Sequence, residues 1–212
     1  MSDKKFILNA DDFGMSEAYN RAVLEGYSCG ILKSASLVAN GLAFEEAYTK
    51  IIPACSDLGV GIHLNVIEGK PLCSDLDRLV GSDGNFNNGY GVFILKSLYD
   101  EIFMEQLERE FRAQIEKILA VTPVSHIDSH VHVHAIPKIF ELVCKLAKEY
   151  GIKQIRTQFE KPYIIPDVFK HLTVKYPINL IKVALLNSFT LMNESNVQKY
   201  GLNTNDNLIG VA

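Results

Sequence analysis

The stretch His126-Ile127-Asp128-Ser129-His130-Val131-His132-Val133-His134 alternates ionisable side chains with small or apolar ones. Side chains point alternately to the two faces of a β-strand. The stretch therefore predicts a strand that presents Asp128 and several imidazoles on one face. A single histidine is more simply interpreted as a hydrogen-bonded residue beside the core. Four of the six histidines lie here, however, and such a row favours binding of a divalent metal ion.

Ligands for a metal must converge from several elements, and two other places in the chain offer them. Asn9-Ala10-Asp11-Asp12-Phe13-Gly14 directly follows the apolar run Phe6-Ile7-Leu8, which predicts a buried first strand. Like charges this close push the pKa of one carboxyl group up, which suits a general base. The alternative is that Asp12 or Ser16 caps the next helix. Gly59–Asn65 predicts another apolar strand, ending in His63 and Asn65.

Predicted strands and helices alternate along the chain, which indicates an α/β protein with a parallel sheet or barrel. The candidate ligands all lie at the carboxyl ends of strands, where such folds place their active sites. Gly- and Pro-rich Glu68–Gly91 predicts a long loop that forms a wall or lid over the site. Lys70 and Asn65 are candidates to touch substrate there, although Lys70 is equally well interpreted as a solvated surface charge. The predicted strands are Lys5–Asn9, Ser34–Ala39, Gly59–Asn65, Ser125–His130 and Lys153–Thr157, and the predicted helices are Glu17–Cys29, Ala43–Ile52, Leu98–Leu119 and Pro137–Tyr150.

Composition indicates one globular domain over residues 1–212, with 48% hydrophobic residues and a net charge of -4. The chain has no basic tract, so we expect no nucleic-acid partner. It also has no apolar run long enough to span a membrane and no signal-peptide pattern. The four cysteines are scattered without a CxxC pair, which is typical of reduced thiols in a cytoplasmic protein.

Three motifs in this order resemble those of the YdjC-like family of carbohydrate deacetylases, which includes the chitooligosaccharide deacetylases. They are Leu8–Ser16, Gly61–Asn65 with Gly69-Lys70-Pro71, and His126–His134, and Ile155-Arg156-Thr157 followed by Glu160 fits the same pattern. The resemblance extends from residue 5 to the end of the chain. It implies a TIM-like (β/α) barrel, a divalent metal ion and removal of acetyl groups from N-acetylated amino sugars. Asp12, His63 and His130 would then bind the metal, and Asp11 would be the general base.

Amide hydrolysis needs an activated water, a stabilised oxyanion and a proton for the leaving amine. Nine residues of strand extend too far for all the ionisable groups of His126–His134 to reach one metal. We therefore expect the remaining polar residues to bind substrate or to orient a ligand, with Arg156 pairing with Asp11, binding substrate or forming a structural salt bridge. These residues are His132, His134, Asp128, Asn65 and Arg156.

Several alternatives stay open on the sequence alone. The resemblance implies Mg²⁺, whereas two histidines and one aspartate suit Zn²⁺. The chain stops at Asn207–Ala212, which predicts a strand just beginning, while members of the family usually continue further. We therefore expect a barrel that is distorted or incomplete at its C-terminus, with exposed sheet edges, and a homodimer is one option. A truncated remnant that binds metal or sugar, or a barrel phosphoesterase or isomerase, is the alternative to a deacetylase acting on a small carbohydrate.

Overall fold

Four parallel strands form one sheet in the computed structural model, which describes residues 5–161 and 175–210. The strands are β1 (Asn9–Phe13), β2 (Ser34–Leu37), β3 (Gly59–Leu64) and β4 (Ile127–Ser129), and they lie side by side in chain order. All three strand pairs are parallel. The prediction of an α/β fold with a parallel sheet is thus confirmed. The four strands do not close into a full barrel within the part of the chain that the structure describes.

The chain divides into two compact units, Met1–Val133 and His134–Ala212, and the sheet belongs to the first. A single domain over residues 1–212 stays a prediction. The helices that the structure describes are α1 (Glu17–Ser28), α2 (Phe44–Glu46), α3 (Ile52–Ala54), α4 (Tyr90–Tyr99), α5 (Glu101–Leu119), α6 (Pro137–Glu149) and α7 (Lys175–Tyr200). None of these helices combines the length and apolar character needed to cross a bilayer.

Three of the five strand predictions are confirmed. β2, β3 and β4 fall within their predicted ranges. The first strand was predicted too early, because the side chains of Phe6 and Ile7 are 79% and 74% exposed and pairing begins only at Asn9. The prediction of a strand over Lys153–Thr157 is wrong, since that segment forms only an isolated bridge between Gln154 and Asn203.

The histidine-rich segment forms a much shorter strand than its alternation predicts. β4 ends at Ser129, and His130–Ala135 coils into a tight 3-10 turn. Val131 (φ 52, ψ 23) and His132 (φ 57, ψ 28) adopt the left-handed conformation, which a β-branched residue such as valine rarely adopts. The prediction that the imidazoles share one face of a strand is therefore wrong beyond Ser129. Val131 and His132 turn the chain away from the strand direction.

The helix predictions are confirmed for α1 and α6 to within a residue at each end. The predicted helix Ala43–Ile52 is instead α2 and α3 joined by a π-helical turn over Ala47–Ile51. The predicted helix Leu98–Leu119 is divided at Asp100, whose carboxylate caps α5 by accepting from the Phe103 N–H at 3.0 Å. The predicted loop ends at Gly89, and α7 was not predicted.

Each unit has its own apolar core. In the first, α5 presents a stripe of side chains at helical spacing, all 0% exposed, at positions 103, 107, 111, 115 and 118. These are Phe103, Leu107, Phe111, Ile115 and Ile118. In the second, α6 contacts α7, and Phe140, Val143 and Leu146 of α6 are buried. Burial of each such side chain contributes roughly 1.5–3 kcal/mol, so α5 is a principal support of the sheet unit.

Candidate metal centre

Neighbouring strands bring the polar side chains together at the carboxyl end of the sheet. His63 near the end of β3 lies directly beside Asp128 of β4 in the strand register. His130 follows β4 at once, and Asp11 and Asp12 lie in the second half of β1. Carboxyl ends of parallel strands share one edge of a sheet. The five residues therefore lie at the carboxyl ends of the strands, where the sequence predicts the site.

A bulge in β1 explains how two consecutive aspartates face the same cluster. Consecutive side chains of a regular strand point to opposite faces. The β1–β2 register shifts between Ala10 and Phe13, and Asp12 has φ 61, in the left-handed region. The alternation is broken at this point, so both carboxylates approach His63. Bulges are frequent next to active sites because they redirect a side chain in this way.

Asp12, His63 and His130 form a group that can hold a metal ion. Their potential ligand atoms all lie within 4.8 Å of one another. Asp12 Oδ1 is 3.2 Å from His63 Nε2 and 2.8 Å from His130 Nδ1. In a tetrahedral zinc site with bonds of about 2.0 Å, adjacent ligand atoms are separated by about 3.3 Å. Asp12 Oδ1 thus lies close to both imidazole nitrogens, at distances near the separation of adjacent zinc ligands.

A second group shares His63 and contains Asp11 and Asp128. Here the carboxylates already have close hydrogen-bond partners. Asp128 is 0% exposed and lies 2.6 Å from His63 Nδ1 and 2.7 Å from the Ser36 hydroxyl. Asp11 Oδ1 accepts from the Asn9 amide at 2.7 Å. The Asp12 side chain, by contrast, is 19% exposed. The Asp12 group therefore suits a metal that must also meet water and substrate.

The electrostatics of the cluster favour a cation at this point. Burial alone raises the pKa of Asp12, but hydrogen bonds and charge from His130 and His63 lower it overall, well below its usual range. Burial alone lowers the pKa of His63, but the charges of Asp128, Asp12 and Asp11 raise it overall to about 9. A proton on the His63 ring thus stabilises the close approach of the Asp12 carboxylate. A divalent cation can take the place of that proton.

Asn65 organises the loop that follows β3. It is 1% exposed. Its side-chain oxygen accepts from the backbone N–H groups of Ile67 and Glu68, and its amide donates to Asn40 and to the Glu68 carbonyl. The Asn65 side chain is therefore occupied with the backbone of its own loop. Lys70, five residues after Asn65, is exposed.

Glu68 is a residue of this loop that sequence analysis missed. Its carboxylate lies 3.5 Å from His130 Nε2 and is 60% exposed. It is thus next to the nitrogen of His130 that faces away from Asp12. The only signal in the sequence was its position at the start of the predicted loop, five residues after His63.

Three polar side chains of α5 fix the remainder of the loop, and they too were missed. Gln114 bonds both backbone groups of Asn65 at 2.9 and 2.7 Å. Buried Glu110 accepts from the N–H groups of Leu72 and Cys73 at about 3 Å, and Gln106 accepts from the Arg78 N–H at 2.9 Å. Positions 106, 110 and 114 are four apart and share one face of the helix. Their polar spacing beside the apolar stripe was a usable signal.

The other predicted histidines do not belong to the two groups that can hold a metal. His126 Nε2 lies 3.0 Å from the Ser36 hydroxyl and 3.7 Å from Asp128 Oδ2. His132 occupies the strained turn, where its carbonyl accepts from the Tyr90 hydroxyl at 3.4 Å. In the second unit, buried His134 donates from Nε2 to the Arg156 carbonyl at 2.8 Å.

Taken with the fold, this geometry defines an α/β protein with an aspartate–histidine candidate metal centre at the carboxyl ends of parallel strands. A family model described as YdjC-like protein matches residues 5–212. The chain therefore belongs to the YdjC-like family, which confirms the resemblance inferred from the three motifs.

Three similar proteins are named carbohydrate deacetylases. A carbohydrate deacetylase of Clostridium beijerinckii is 39% identical over 162 residues, 75% of this chain and 63% of that protein. One of Brevibacillus brevis is 40% identical over 149 residues, 70% and 57% of the two chains. Carbohydrate deacetylase 1 of Listeria innocua is 41% identical over 150 residues, 70% and 59%. The chain thus spans only 57–63% of the length of these relatives.

A solved structure supports the fold. A crystal structure from Enterococcus faecalis, provisionally described as that of a cellobiose-phosphate cleavage protein, matches with a TM-score of 0.63 and 20% identity. The match covers 96% of this chain and 97% of that one. At this identity the likeness shows a shared fold alone.

Proposed function

We propose that this chain carries the metal centre of a carbohydrate deacetylase that removes acetyl groups from N-acetylated amino sugars or oligosaccharides. The observation that carries the proposal is the convergence of Asp12, His63 and His130. A second carboxylate, that of Asp11, lies beside them. The names of the relatives supply the substrate class. A TIM-like barrel and a cytoplasmic location belong to the same proposal, the latter because all four cysteines are free thiols.

In this proposal, Asp12 Oδ1, His63 Nε2 and His130 Nδ1 hold a divalent metal ion. When bound, such an ion polarises the acetyl carbonyl and lowers the pKa of a water molecule. Mg²⁺ is implied by the family resemblance, whereas the two imidazole donors favour Zn²⁺. The side chains of Asp12 and His130 are 19% and 15% exposed, so substrate and water can approach the ligands from one side.

Asp11 is the proposed general base. Its Oδ1 atom accepts from the Asn9 amide, which fixes the plane of the carboxylate next to the ligand cluster. A carboxylate in this position takes a proton from the attacking water and passes it towards the leaving amine. Buried surroundings on the Asp128 side exclude water from the back of the cluster.

The test is acetate release from diacetylchitobiose by chelator-treated protein, with Mg²⁺, Zn²⁺ or no metal added back. We expect release only with metal, and the more effective ion identifies the cofactor. Asp11→Asn should lower turnover by roughly 100- to 10,000-fold while metal affinity is kept, whereas Asp12→Asn should abolish metal binding. Asp83→Asn, in an exposed turn, is the matched control and should change neither quantity.

The outcomes separate the alternatives. Metal binding without acetate release would overturn the deacetylase activity of this chain and favour a binding remnant. Cleavage of bis(p-nitrophenyl) phosphate without acetate release would favour a phosphoesterase. Failure to bind either metal would refute the metal centre itself.

A further inference from the structure

His63 lies between two carboxylates, one on each ring nitrogen. Asp12 Oδ1 is 3.2 Å from Nε2, and Asp128 Oδ1 is 2.6 Å from Nδ1. A neutral imidazole carries one proton, and the other nitrogen offers its lone pair. For Nε2 to bind a metal beside Asp12, the proton must stay on Nδ1 and point at Asp128. The position of Asp128 is the arrangement that selects this tautomer.

Asp128 is itself held by a hydrogen-bond network. The Ser36 hydroxyl donates to Asp128 Oδ2 at 2.7 Å, so its single proton is used. The Ser36 oxygen therefore accepts from its other neighbours, the Asn9 amide at 2.9 Å and His126 Nε2 at 3.0 Å. Asn9, Ser36, His63 and Asp128 come one from each of the four strands, so the sheet as a whole fixes the carboxylate plane.

His126 reaches this network because position 61 is glycine. A Cβ atom added to Gly61 would lie 2.3 Å from the His126 ring, a distance that no side chain tolerates. The ring thus lies close to the backbone of β3 at Gly61, with its Nε2 3.0 Å from the Ser36 hydroxyl. Its Nδ1 lies 2.8 Å from the Ser125 hydroxyl. His126 therefore supports the network through Ser36, without a place among the candidate metal ligands.

His130, the second candidate imidazole ligand, also has a carboxylate near each of its ring nitrogens. His130 directs Nδ1 at Asp12 at 2.8 Å and Nε2 at Glu68 at 3.5 Å. The Glu68 carboxylate is 60% exposed, whereas that of Asp128 is 0% exposed. Water screens an exposed pair and weakens it. The two imidazoles therefore have one strong and one weak positioning partner.

We propose that Asp128, fixed by Ser36 and its network, is the positioning residue that holds His63 with its proton on Nδ1 and its lone pair towards the metal. Glu68 does the same for His130, with a smaller effect. This inference rests on the metal centre of the proposed function, and it concerns metal affinity and ring geometry rather than turnover.

The experiment compares zinc affinity, by competition with a chelator at pH 7.5, in the unaltered chain and in four variants. Asp128→Asn should weaken zinc binding by about 10- to 100-fold. Glu68→Gln should weaken zinc binding by about two- to fivefold. The loss of zinc affinity in Ser36→Ala should lie between these two, because the Asp128 carboxylate keeps its charge. Asp83→Asn is the control with no expected change. In the zinc-loaded protein, the Nδ1 proton of His63 should exchange with water faster in Asp128→Asn than in the unaltered chain, as seen by NMR.

The ranking of the variants decides the inference. Affinities within twofold of the unaltered chain in folded Asp128→Asn and Ser36→Ala would overturn it, as would a larger loss in Glu68→Gln than in Asp128→Asn. If Asp128→Asn does not fold, Ser36→Ala alone decides. The predicted ranking in a chain that releases no acetate would support the positioning role and count against the deacetylase activity. Unchanged affinities in a chain that does release acetate would do the reverse.

Discussion

Raising the pH from 7 to 9 should strengthen zinc binding by about 50-fold. The pKa of His63 in the metal-free protein is about 9, because the charges of Asp128, Asp12 and Asp11 outweigh the cost of burial. Its imidazole is therefore protonated below this pH, and only about 1% is neutral at pH 7. A metal binds the neutral ring and must displace that proton, so affinity should rise about tenfold per pH unit near pH 7 and level off as the pH approaches 9.

Asp12 should add nothing to this slope. Its pKa lies well below the ordinary carboxylate range, so it keeps its negative charge over the whole interval. Zinc affinity can be measured from pH 6.5 to 9 by competition with a chelator whose own proton and zinc equilibria are known. Calorimetry in two buffers of different ionisation enthalpy then counts the protons released. An affinity that is independent of pH, or binding at pH 8 without proton release, would refute the assignment of His63 as a ligand.

Three other perturbations test the parts of the fold that support the centre. Glu110→Ala should lower the free energy of unfolding in urea by about 3 kcal/mol, because two backbone N–H groups lose a buried charged acceptor; exposed Glu105→Gln in the same helix should change it by less than about 0.5 kcal/mol. Gly61→Ala should cost about 1–3 kcal/mol through its clash with the His126 ring, and adding His126→Ala should restore part of the loss, whereas additive losses would contradict the clash. Burial raises the pKa of the Cys144 thiol to about 12, so its reaction with a disulfide reagent at pH 8 should be much slower in the folded than in the urea-unfolded protein, and equal rates would exclude this burial.

The middle of the sheet could be predicted because β2 and β3 are short apolar runs that end in polar residues. β1 could not, because four of its five residues are small or polar and hydropathy does not register them as a strand. The Asn9 oxygen accepts from Ser34 at 2.6 Å and its amide donates to Ser36. The apolar run Phe6-Ile7-Leu8, which misled the prediction, is exposed.

The histidine-rich segment shows how far a sequence pattern can carry a site. Its spacing indicated a cluster of metal ligands, and Asp128 and His130 do lie beside His63. The same alternation of side chains continues to His134, but the strand ends at Ser129, because strand periodicity says nothing about where a chain turns. Glu68 could not be assigned, since its approach to His130 depends on a loop fold that Asn65 and α5 impose.

Backbone strain provides a separate argument that the candidate centre is functional. Of the four non-glycine residues with positive φ in the described parts of the chain, three are Asp12, Val131 and His132. Each left-handed residue of this kind costs of order 1–3 kcal/mol and persists only where the surrounding structure enforces it. Asp12 is a candidate ligand, and the other two immediately follow His130. A fold that needed only stability would relax these positions with glycine. Their concentration around one carboxylate and one imidazole indicates that the positions of these two side chains are what the strain maintains.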